Sequence, residues 1–199
     1  INNGTGAVAV KATDYSYAGA FVGNISGSGS AALGAASDFE VFDRNVKASV
    51  AGNAKTDKNL SMTAGDVSIG ATSKQGVSSL LVGGSFSGTG SLAAGITSFI
   101  QKSVVTASTE HLTATADKFD LTADHYASLG QGNNNIAVGA NVGVGATFAI
   151  LSDTNKVNAT MDNSTVTASK GATVKADDET KITTENVSIG AALKGAGFG

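Results

Sequence analysis

Small or β-branched residues alternate with polar ones along most of this chain, as in Val166-Thr167-Ala168-Ser169 and Val174-Lys175-Ala176-Asp177. Successive side chains of a strand point to opposite faces, so a period of two is the signature of a half-buried strand. A longer step lies over it: Val166, Val174 and Ile182 are eight residues apart, and each opens a polar-Ala-polar or polar-Thr-polar run. Such a step predicts strands of four or five residues, each closed by a corner. Helix is disfavoured, because Gly costs roughly 1 kcal/mol per helical site relative to Ala and Ser, Thr, Asn and Val are mediocre formers.

The pattern repeats. Val-x-Ala-Ser occurs at Val46, Val105 and Val166, with offsets of 105 − 46 = 59 and 166 − 105 = 61. Sixteen residues after each valine stands Met62, Leu121 or Ile182, opening a second signal that ends at Gly70, Gly130 or Gly190. A further copy, Val10-Lys11-Ala12-Thr13, leads to Gly19 and carries Tyr15 where the copy at Leu121 carries Tyr126. A Gly-x-Gly follows each time: Gly27 and Gly29, Gly88 and Gly90, Gly143 and Gly145, Gly195 and Gly197. These markers define a unit of about 60 residues and, by the rule that fixed periods mean stacked architectures, a solenoid.

The expected fold is therefore all-β, a parallel β-helix forming one solenoid over 1–199. Its repeat units fall at approximately 10–61, 62–120, 121–181 and, in part, 182–199. If each eight-residue step is one face, a coil takes roughly 20 to 24 residues and one unit holds two and a half to three coils. Coils stacked about 4.8 Å apart would pile Val, Ala, Ile, Leu and some Phe into ladders inside. Glycine would serve corners with positive φ and places of close backbone approach. The Gly-interrupted run Ile136 to Leu151 is expected to be a buried strand region, since it falls short of the roughly 20 apolar residues that cross a bilayer as a helix.

Three segments carry a resemblance: NIAVGANVGVGATFAIL from Asn135, VNATMDNSTVTAS from Val157, and VKADDETKITTENVSIG from Val174. A Gly-rich apolar run, an Asn-containing strand and then Val-Thr-Ala-type strands resemble the repeats of large bacterial adhesins of the type V route, the autotransporter and filamentous-haemagglutinin class. Related wording covers essentially the whole chain. The resemblance implies a right-handed β-helical stalk on the bacterial cell surface, part of a larger secreted polypeptide anchored in the outer membrane elsewhere, which displays binding surfaces to host cells or other bacteria. Its implied partner is a surface receptor, protein or glycan. It supplies no catalytic residue. A second likeness, to the heads of trimeric autotransporters, rests on Asn134 to Ala140 and fits less well, because those heads repeat at a much shorter period.

Composition narrows the chemistry. The chain of 199 residues has 26 Gly, no Pro, no Cys and no Trp. Zero Cys rules out disulfides and thiolate sites and suits a protein that crosses a bacterial envelope unfolded. Net charge is −3 with Arg44 the one arginine, so no basic face offers itself to nucleic acid. The opening Ile1-Asn2-Asn3 carries no Met, basic or apolar leader, so the chain reads as an excised piece whose signal peptide lies elsewhere.

No catalytic, cofactor or metal site emerges. His111 and His125, with Glu110, Asp120 and Asp124 nearby, could ligate a divalent ion if stacking gathered them. His125 falls where other copies have Asp66 and Asn186, which predicts a solvated strand or corner position. Asp177, Asp178 and Glu179, with Asp153 and Asp162 upstream, form the densest carboxylate group, yet neighbours on a strand alternate sides, so solvation is expected over acid–base work or calcium binding. The Gly-x-Gly pairs lack the helix and Lys of a phosphate loop. Thr113 and Thr115, and Thr165 and Thr167, suggest a flat ice- or glycan-binding face, which would require a regular Thr array. The sequence thus predicts no enzyme and no cofactor, a structural and adhesive role first, a flat-face ligand-binding solenoid second and a polysaccharide-active enzyme last.

Overall fold

The computed structural model describes residues 1–56 and 58–198; Asp57 and Gly199, which fall within the expected repeat units, lie outside the described residues. It is nearly all strand. In chain order the strands are β1 (Val8–Ser28), β2 (Ala31–Ala51), β3 (Leu60–Thr63), β4 (Asp66–Ser87), β5 (Gly90–Glu110), β6 (Leu112–Ala116), β7 (Lys118–Gly139), β8 (Val142–Asp162), β9 (Thr165–Ala168), β10 (Ala172–Ala192) and β11 (Ala196–Phe198), with one 3-10 turn at Ala54–Thr56. They form three parallel sheets in the orders β1-β4-β7-β10, β2-β5-β8-β11 and β3-β6-β9, here called the first, second and third sheets. Each turn of chain visits the three in succession, an arrangement consistent with a β-solenoid.

The strands are far longer than expected. The sequence predicts pieces of four or five residues and a coil of 20 to 24, but apart from the three-residue β11 the strands of the two wide sheets run 21 or 22 residues. Val8 pairs with Val67, Val67 with Phe119 and Phe119 with Ala172, so one turn takes 67 − 8 = 59, 119 − 67 = 52 and 172 − 119 = 53 residues. Alternation has no intrinsic length. An eight-residue step returns a side chain to the same side, and Val174 and Ile182 lie on one uninterrupted β10.

Registers divide the sequence markers. Val46 pairs with Val105 as their spacing implies. Val105 then pairs with Val157, whereas Val166 lies on the third sheet opposite Ala114. The residues missed by the marker are Val157-Asn158-Ala159-Thr160, with Thr in place of the final Ser. The first turn is longer because Gly52 to Asn59 separate β2 from β3, while His111 alone separates β5 from β6. The match of Tyr15 to Tyr126 survives, both standing in register with Lys74.

At one end the wide sheets are joined by tight corners, Gly29-Ser30, Gly88-Thr89 and Ala140-Asn141; at the other the short third sheet wedges them apart. The apolar core sits at the wedge, where Val67, Ile69, Leu121 and Phe119 of the first sheet meet Val105 and Ala107 of the second and Met62, Leu112 and Ala114 of the third. Farther in, Val77, Phe99 and Leu129 form a smaller cluster. Much of the remaining interior is polar, with Ser73, Gln75, Gln101, Ser103, His125, Asn133 and Asn135 all buried among Leu81, Ala93, Ala127 and Ala137, against the expectation of purely aliphatic ladders.

The Gly-x-Gly pairs gather at the tight corners, but not for positive φ. Among the described glycines only Gly4 and Gly171 have it. Some of the corner glycines serve close approach instead: a Cβ on Gly88 would strike the Gly29 carbonyl and one on Gly143 the Ala191 carbonyl, whereas Gly27, Gly29 and Gly90 have room for one. The run Ile136 to Leu151 likewise differs from expectation, comprising the end of β7, a corner and the start of β8, with Phe148 and Ile150 exposed. No helix among the described residues is long and apolar enough to cross a membrane.

Candidate functional site

Stacking brings His125 and Asp178 together but puts the other candidate ligands elsewhere in the fold. Asp124 points out from the first sheet and His125 points in, because they are strand neighbours. His111 occupies the corner between β5 and β6 with φ 49°, the same place in the turn as Asn163 at φ 43°. Among the described residues no group of three His, Cys, Asp or Glu is placed to hold a metal ion.

His125 is the clearest correction. Expected to be solvated, it is 2% exposed. Its Nδ1 lies 2.7 Å from Asp178 Oδ1 on β10, and its Nε2 lies 3.4 Å from Gln101 Nε2 on β5. Asn155 on β8 reaches from the opposite sheet to donate to Thr180 Oγ1 at 3.3 Å, and it also donates to Asp153 Oδ2 on its own strand at 3.1 Å. Gln75 donates to Ser103 Oγ at 2.8 Å and Asn133 to Asn186 Oδ1 at 2.7 Å, while Thr97 donates to Asn133 and Ser79 to Asp38. Buried polar groups are expensive unless paired, so these bonds fix which turn faces which. Polar strand positions look alike in sequence whether they point in or out, and this seam had no separate signal.

The three adjacent acids split as alternation requires. Asp178 turns inward to His125; Asp177 and Glu179 stay on the outer face, where Lys175 Nζ holds Asp177 Oδ2 at 2.7 Å. Elsewhere at the surface, the Asp117 carboxyl is held below its ordinary range chiefly by the hydrogen bond from Lys170, and that of Asp120 by the bond from Lys118. Glu40 goes the other way: burial, with Asp38 beside it, raises its carboxyl.

Two outer surfaces stand out, and the one on the third sheet repeats from turn to turn. On the third sheet Ser61, Thr113 and Thr165 pair in one column and Thr63, Thr115 and Thr167 in the next, all exposed. The two Thr-x-Thr pairs noted in sequence are thus brought into register and joined by a Ser-x-Thr. On the outer face of the first sheet stand Tyr15, Tyr17 and Tyr126, with Lys74 between Tyr15 and Tyr126 in one column. A shallow open groove of about 430 Å³ runs between Tyr15, Lys74 and Tyr126 and the carboxylates of Asp124, Asp177 and Glu179.

Comparison with protein-family models, curated proteins and solved structures gives no match.

Proposed function

We propose that this chain is a structural and adhesive segment of a bacterial surface adhesin of the autotransporter and filamentous-haemagglutinin class. It is wound right-handed, as parallel crossovers almost always are, with one sequence repeat to a turn. The observation that supports this best is the unbroken parallel ladder from β1 through β10. It gives the two wide sheets outer faces about 70 Å across for strands of 21 residues at ~3.3 Å per residue. Such faces suit display on a cell surface, and every added turn extends them without altering the rest. The role involves binding and spacing, with no turnover.

Beads coated with the purified chain should adhere to epithelial cells or bacteria well above albumin-coated beads. Release of reducing ends from polysaccharides together with baseline adhesion would overturn the reading. A second reading, a flat ligand- or ice-binding face, draws support from the Ser/Thr columns, whose spacings are about 4.8 Å between turns and ~6.6 Å along the strand. Thermal hysteresis that disappears in Thr115→Val would favour it; its absence leaves the adhesive role in front.

A further inference from the structure

We infer that the outer face of the first sheet around Tyr15, Tyr17 and Tyr126 is a binding site for a neutral hexose glycan, a step that rests on the adhesive reading. The aromatic rings are presented for contact. Tyr15 is 69% exposed, Tyr17 77% and Tyr126 38%, unusual for side chains with so much apolar area to bury. Tyr17 stands beside Gly76, where a Cβ would lie 2.9 Å from the tyrosine ring. Absence of a side chain at that position lets the ring lie low over the sheet and turn a face to solvent.

The arrangement selects a ligand class. Tyr15 and Tyr126 are two strands apart, roughly 9–10 Å at ~4.8 Å per strand, a span that consecutive sugar rings can bridge with their apolar C–H faces. Carboxylates of Asp124, Asp177 and Glu179 line the same groove and can accept hydrogen bonds from sugar hydroxyls. Sulfated or sialylated sugars would meet those carboxylates. An ammonium ligand would meet Lys74, whose Nζ already lies 5.8 Å from the centre of the Tyr15 ring. Rings in a row on an open sheet also fail to make the enclosing cage that quaternary ammonium requires.

The composition provides a direct probe. The chain has three tyrosines and no Trp, and all three lie on this face, so intrinsic fluorescence reads the site alone. Titration with a neutral hexose hexasaccharide should change tyrosine emission saturably at millimolar or lower concentration. Tyr126→Ala should weaken binding roughly 3- to 10-fold, the worth of one aromatic contact, and Tyr126→Phe should restore it. Retained strand circular dichroism in both variants separates a lost site from a lost fold. No response to the hexasaccharide, a response to choline or heparin instead, or equal binding by Tyr126→Ala would overturn the site. Bead adhesion that persists in Tyr126→Ala would remove this site while leaving the adhesive role intact.

Discussion

At the scale of single residues, the molecule is divided between an aliphatic wedge and a polar seam, and each should respond differently to truncation. Leu121 is fully buried among the side chains of three sheets. Leu121→Ala should cost about 2–5 kcal/mol, the usual range for a core leucine whose surroundings cannot collapse, read as a lower denaturant midpoint. Asn133 bridges buried Thr97 and exposed Asn186, so Asn133→Ala leaves the interior Thr97 hydroxyl without its partner and should cost about 1–3 kcal/mol. Glu40 supplies a pH dependence with a definite sign. Its folded carboxyl titrates above its ordinary value because of burial and then Asp38, so the fold favours the protonated form. That contribution is complete in acid and lost as pH rises through the folded value. Glu40→Gln should therefore raise the melting temperature at pH 7 and make no difference near pH 3; a gain in acid only would contradict the assignment.

At the scale of elements, what could be read from the sequence and what could not have separate physical causes. Alternation identified strands, and the repeat identified stacking, because both depend on side-chain direction alone. Strand length escaped because nothing in a period of two says where to stop; the stops lie at Gly29-Ser30, Gly88-Thr89 and Ala140-Asn141. The match of Val46 to Val105 and of Tyr15 to Tyr126 was legible. The match of Val105 to Val157 was hidden by one Ser-to-Thr change and by the long corner from Gly52 to Asn59. Direction was the other gap: Lys74 and Gln75, or Asp177 and Asp178, are equally polar in sequence, yet one of each pair faces solvent and the other its buried neighbours. Of the candidate surfaces, the Thr pairs were visible singly but not their columns, and the tyrosines are too few to signal a face before the register is known. The corners themselves invite a test. Gly88→Ala would press a methyl against the Gly29 carbonyl and should destabilise by about 1–3 kcal/mol, while Gly29→Ala, with open space at its Cβ, should be far milder when the two are compared by thermal melting.

At the scale of the whole molecule, stability arises between turns. Each wide strand holds its neighbours by a full-length ladder, and the polar seam penalises any slip, since a one-residue shift would turn every interior side chain outward. Three complete turns and a partial fourth at ~4.8 Å give a slab much wider along the strands than it is tall. The exposed apolar residues of β1, among them Tyr15, Phe21 and Ile25, and those of β10, Val174 and Ile182, lie on the outermost strands of the first sheet.

The central claim is that one turn takes about 52 residues in the middle of the stack, so that Thr167 lies beside Thr115 and Asn158 beside Thr106. The chain has no Cys, so paired cysteines can be introduced without background, and neighbouring strands lie within the Cα separation a disulfide requires. Under mild oxidation, Thr115→Cys with Thr167→Cys should close into an intramolecular disulfide, while Thr106→Cys with Thr167→Cys, the pair implied by aligning Val105 with Val166, should stay reduced. Closure of the second pair and not the first would contradict the account.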